Sequence, residues 1–76
     1  IEIDDHHAIF EVQVPDAWVG KTIGELDIRR KYGINILVIK SAGESNVEVT
    51  PDIKLSRDVT ILALGEYKAL QKCFHI

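Results

Sequence analysis

Arg29, Arg30 and Lys31 form the one basic cluster in an otherwise acidic chain, and Gly33 and Asn35 follow closely behind them. A guanidinium donates in a planar fork that matches the paired oxygens of a phosphate, and a carboxamide adds donors of its own. The cluster therefore admits an anion site. It equally admits a plainer role, in which three cations complement the negative end of a helix dipole and Asn35 is a turn residue after Gly33. Periodicity alone does not separate the two. On a helix Arg30 stands about 100° further round than Arg29, so the two are expected to point to different surroundings.

Two other constellations carry possible chemistry. The stretch Pro-Asp-Ala-Trp-Val-Gly-Lys-Thr over 15–22 ends like a phosphate-cradling P-loop. That loop opens on glycine and needs a run of free backbone N–H groups. Here it opens on Pro15 and holds bulky Trp18 and Val19, so no P-loop is expected. Asp4, Asp5, His6 and His7 stand in a row, but a metal needs ligands that converge in space, and His75 is the only other histidine. The segment reads as a solvated lead-in to the first strand. No serine stands in a nucleophile arrangement with His and Asp. The sequence predicts no enzyme, no cofactor and no metal. Cys73, the single cysteine, cannot make an internal disulfide and fits a reducing compartment. It reads as a small buried hydrophobe on a C-terminal helix.

These side chains must be positioned by a few short elements. Phe10, Val12 and Val14 alternate with Glu11 and Gln13, the period of a half-buried strand over 8–14 closed by Pro15. Thr22 and Glu25 have capping-box spacing. They predict one helix over 23–32 that ends on Gly33, with Gly24 its one dissonant interior residue. Residues 34–40 are a near-continuous apolar run, a strand that needs cover on both faces. A turn cluster over 41–45 and alternation around Val47 and Val49 predict a hairpin partner that Pro51 ends. Ile53 and Leu55 read as isolated apolar residues in a connecting loop. Val59–Leu64 reads as a further strand stopped by Gly65, and 66–74 as a terminal helix with Tyr67, Leu70 and Phe74 on one face. The fold class is α+β: a single mixed or antiparallel sheet and two helices, in the order β-α-β-β-β-α, with the helices against one face.

Size and charge bound what such a domain does. The 76 residues, 46% hydrophobic and 28% charged, make one small globular domain. The net charge of −3 argues against direct nucleic-acid binding. No apolar run approaches the roughly 20 residues of a membrane helix, so the chain reads as soluble, with no direct membrane insertion. A chain this short buries only about 60% of its unfolded surface. With no disulfide or metal to help, a homodimer is expected. The whole of 1–76 reads as one domain, a fragment of a longer protein.

The residues Val19–Lys40, then Val49-Thr50-Pro51, then Asp58–Leu62 resemble the TrkA-C domain, also called RCK_C. The shared features are a Gly-Lys-Thr-Ile-x-Glu-Leu-Asp-Ile-Arg stretch, a Tyr-Gly-x-Asn-Ile stretch and a proline ending the hairpin. The resemblance covers nearly the whole chain. It implies a two-fold dimer and a cytoplasmic regulatory domain of potassium-transport gating proteins, peripheral to the inner membrane through a membrane transporter partner. Other transporters and some transcription regulators carry the same domain. In members that resemble the Ktr-type gating subunit the dimer cleft binds cyclic di-AMP. Carried over residue by residue, Arg29 falls on the phosphate-binding Arg and Asn35 on the Asn beside it. Asp27 falls on the helix acid, Ile23 and Ile36 on apolar walls, and Pro51 on the proline near the base. Two positions depart from the pattern. Arg57 stands where Gly is usual before Asp58, and Glu44 lies in the hairpin region where some cyclic-di-AMP-binding members carry a His. The resemblance also leaves open a domain that only dimerises.

Overall fold

The computed structural model describes all of residues 1–76. One antiparallel sheet carries the fold, in the order β1-β4-β2-β3, built from β1 (His7–Gln13), β2 (Asn35–Ser41), β3 (Glu44–Asn46) and β4 (Thr60–Glu66). The expected α+β class and element order hold, with one refinement. The first helix is two short segments, α1 (Ile23–Leu26) and α2 (Ile28–Tyr32); the second is α3 (Tyr67–Phe74).

The sheet is sided. On β4, Ile61, Ala63 and Gly65 are buried and stand opposite Val12, Phe10 and Ala8 of β1. Tyr67 of α3 meets Phe10 edge-on at 5.7 Å, so the helices lie on this face. Trp18, at the end of a short 3-10 turn, closes the core between α2 and α3, with its ring 5.4 Å from Phe74 and 6.3 Å from Tyr32. The alternate residues Ile9, Val38, Leu62 and Leu64 are half-buried and do not pack against this core. The apolar run of β2 therefore has its own chain on one side only.

Four expectations are corrected. The helix expected over 23–32 breaks at Asp27, whose backbone is left-handed (φ 50°, ψ 45°). On a continuous helix Ile28 would lie about 140° round from Ile23. The break turns α2 so that Ile28 is buried while Ile23 and Leu26 still pack against the core. Asp is among the few residues that adopt this conformation without great cost.

The hairpin partner is Glu44–Asn46 rather than the stretch around Val47 and Val49. Ala42 and Gly43, both at positive φ, form a two-residue turn that pairs Ser41 with Glu44 and so fixes the register before the valines are reached. Val47 is 70% exposed. Gly65 does not stop β4 but pairs with Ala8 inside it. A Cβ there would sit 3.2 Å from Ile34 Cγ1, so the glycine makes room for a core side chain.

Ile53 and Leu55 are not isolated loop residues. Leu55 is buried, and residues 51–55 run against 20–24: Gly20 N–H donates to Leu55 O, Leu55 N–H to Lys21 O, and Ile23 N–H to Ile53 O. The connection after the hairpin is thus lashed to the start of α1. No helix is long and apolar enough to cross a membrane.

Candidate anion-binding groove

The first turn of α1 shows how the groove is built. Thr22 caps it: the Thr22 hydroxyl accepts from Glu25 N–H at 3.1 Å, and the Glu25 carboxylate accepts from Thr22 N–H at 2.9 Å. The two remaining donors of that turn, Ile23 N–H and Gly24 N–H, go to Ile53 O and Pro51 O at 3.0 and 2.8 Å. Every amide of the turn is satisfied internally, so the helix start offers no free N–H to a ligand. Glu25 is held below the ordinary carboxylate range first by the Thr22 backbone N–H and next by its hydroxyl.

The interior Gly24 now has a reason. A Cβ there would meet Pro51 O at 3.0 Å and Pro51 Cβ at 3.2 Å. Only a residue without a side chain lets the 49–51 segment lie this close to the helix. That segment forms the far wall of a groove of about 350 Å³. All six residues singled out from the sequence, Ile23, Asp27, Arg29, Asn35, Ile36 and Pro51, line it. Sequence reasoning missed Gly24, Val49 and Thr50 on the same walls. For Gly24 the signal was present as a helix-breaking residue in a good helical pattern; for Val49 and Thr50 the mistaken strand hid it.

Arg29 and Asp27 are the only charged side chains that line the groove. Arg29 Nε donates to Asn35 Oδ1 at 2.6 Å. The kink places Asp27 beside the residue three further on, and Arg30 Nε donates to Asp27 Oδ2 at 2.7 Å. Arg30 was expected to point to surroundings of its own. It does lie outside the groove, but it is bonded to a groove residue. Glu44, the acidic departure in the hairpin, does not line the groove.

The other constellations resolve as structure. The amides of Trp18, Val19, Gly20 and Lys21 donate to Pro15, Asp16, Leu55 and Trp18 carbonyls, which leaves no nest for a phosphate. The Asp4 carboxylate accepts from His6 N–H and His7 N–H at 2.8 Å and meets His7 Nδ1 at 2.9 Å, closing a turn. The His6 amide is the first cause of the low Asp4 pKa. No group of three His, Cys, Asp or Glu side chains converges. Cys73 packs partly against the core, and burial pushes its thiol up, away from the reactive thiolate.

The TrkA-C domain family model matches residues 7–75. Over 65 residues the chain is 31% identical to the Ktr system potassium uptake protein C of Bacillus subtilis (strain 168), covering 86% of this chain and 29% of that protein. Over 67 residues it is 31% identical to the K(+)/H(+) antiporter subunit KhtT of the same strain, covering 87% of this chain and 41% of that protein. The chain thus spans less than half of either relative. Among solved structures, the RCK C domain of the potassium transport protein KtrA in complex with cyclic di-AMP superposes with a TM-score of 0.84 at 32% identity. That match covers 91% of this chain and 81% of that domain. The expectation that the chain is not an enzyme agrees with these relatives, which are components of potassium transport.

Proposed function

The chain belongs to the TrkA-C domain family, and on that premise we propose that it is a regulatory ligand-binding and dimerisation domain of a potassium transport or channel-gating protein, with cyclic di-AMP as its ligand. The observation that carries this reading is the bond from Arg29 Nε to the Asn35 side-chain oxygen. It engages the Asn35 carbonyl oxygen and leaves the Asn35 NH2 as a donor. The terminal N–H groups of Arg29 and the NH2 of Asn35 have no protein partner. These free N–H groups are the donors that this part of the groove offers to a phosphate oxygen.

Ile23, Ile36 and Pro51 line the same groove and offer flat apolar area to a base. A volume of about 350 Å³ suits one nucleotide unit rather than a whole dinucleotide. Two copies about a two-fold axis would supply two forks and two apolar walls, which matches a symmetric ligand with two phosphates and two bases. The similar KtrA domain is known in complex with cyclic di-AMP, which supports the choice of ligand. In this reading the ligand favours one dimer geometry, and only its difference in affinity between geometries does regulatory work. The partner is a membrane transporter subunit, and the domain works in the cytoplasm, peripheral to the membrane.

Calorimetry with cyclic di-AMP tests the reading, with ATP and cyclic di-GMP as comparison ligands. The expected result is saturable binding of cyclic di-AMP and much weaker heats from the other two. An absence of binding at millimolar cyclic di-AMP overturns the ligand assignment and leaves a domain that only dimerises.

A further inference from the structure

Asp27 and Arg29 are opposite charges that share one open groove. Left to themselves such charges attract, and an ion pair formed inside the groove would occupy the anion site before a ligand reached it. In the structure each is held by a different partner: Arg29 by Asn35 at 2.6 Å, and Asp27 by Arg30 at 2.7 Å. We propose that Arg30, which does not line the groove, is a positioning residue that keeps the Asp27 carboxylate off Arg29 and so keeps the anion fork open. The inference rests on the reading of the groove as a cyclic di-AMP site.

The local backbone explains how one short helix does both jobs. Neighbouring residues on α2 diverge by about 100°. One guanidinium therefore serves the groove while the next reaches back to an acid three residues earlier. The left-handed backbone at Asp27 sets that acid at the kink, on the wall of the groove that Arg29 also lines and three residues before Arg30. Stability does not explain the pair. The Arg30 side chain is 86% exposed and that of Asp27 37% exposed, and ion pairs in such positions add little to folding. The effect of the contact is on where a negative charge sits beside a site for negative charge.

The test is a double-mutant cycle on Arg30→Ala and Asp27→Asn, read by cyclic di-AMP affinity and by the Arg29 Nε–H resonance of the ligand-free protein. Arg30→Ala is expected to weaken binding by about two- to fivefold, the range that an exposed ion pair can supply. Asp27→Asn is expected to restore most of that loss in the Arg30→Ala background and to gain clearly less in the parent. The Arg29 Nε–H resonance is expected to move in Arg30→Ala, to return in the double variant and to stay near its parent position in Asp27→Asn alone, a pattern that additive charge effects do not produce. Additive effects on affinity, or an Arg29 resonance that Arg30→Ala leaves unmoved, overturn the inference. If the parent itself fails to bind cyclic di-AMP, the ligand reading falls, and the Arg29 resonance alone decides whether Arg30 positions Asp27.

Discussion

What orients the guanidinium in this groove is its partner rather than its charge. Arg29 is exposed and its Nε is committed to Asn35, so its remaining donors are presented in a fixed plane. Arg29→Ala is expected to weaken cyclic di-AMP by about 1.5–3 kcal/mol per charged hydrogen bond lost, measured by calorimetry. Arg29→Lys keeps the charge but loses the fork and is expected to recover only part of the affinity. Both variants should fold like the parent, since the dipole contribution of an exposed helix-end Arg is a few tenths of a kcal/mol. Thr22 belongs at the same scale. Thr22→Ala removes the cap and is expected to lower stability by about 1 kcal/mol, read as a shift in the urea midpoint. The effect carries a pH signature. Glu25 has a depressed pKa in the folded state. Its contribution is therefore present above the ordinary carboxylate pKa, about 4.3, and is lost as pH falls through the lower folded value. The stability difference between parent and Thr22→Ala should shrink as pH drops through that range. A difference that stays constant to low pH would mean that the bond from the Thr22 hydroxyl to the Glu25 carboxylate contributes nothing.

At the scale of elements, legibility followed how local the determining interaction was. The capping box at Thr22, the alternation of β1 and the apolar face of α3 are set by neighbours within a turn or a pleat, and the sequence shows them directly. The break at Asp27 is not local: it exists because Ile28 and Ile23 must reach the same core from positions a continuous helix sets far apart. The hairpin register is not legible from the valines because an Ala-Gly turn, without the usual Asn or Asp, reaches positive φ at both residues and starts β3 before them. Gly65 looked like punctuation and is a packing residue. Gly65→Ala places a methyl 3.2 Å from Ile34 Cγ1 inside a central strand. Such overpacking is expected to cost about 1–3 kcal/mol, again read from the denaturation midpoint. A neutral outcome would show that Ile34 has room to move. The groove was legible only through resemblance: no periodicity in the sequence brings Pro51 to the first turn of α1, and that contact depends on the pairing of 51–55 with 20–24.

For the whole molecule the decisive feature is its incompleteness as a single chain. The sheet has a core on one face and, on the other, half-buried Ile9, Val38, Leu62 and Leu64 with Leu37 exposed beside them. A domain of this size gains stability by covering such area against a second copy. The groove has the same character: one donor fork and one apolar wall are half of what a two-fold dinucleotide presents. Two quantities should therefore move together. Light scattering is expected to give a dimer at micromolar concentration, and calorimetry to give about one cyclic di-AMP per two chains, because a two-fold site uses one patch twice. Ligand that binds only the assembled dimer should also raise the thermal midpoint, and should do so more at low protein concentration, where the free dimer dissociates. One ligand per chain would place the whole dinucleotide in a single groove and remove the argument from symmetry. A monomer that still binds ligand would remove the dimer from the mechanism and leave the Arg29–Asn35 fork to account for affinity alone.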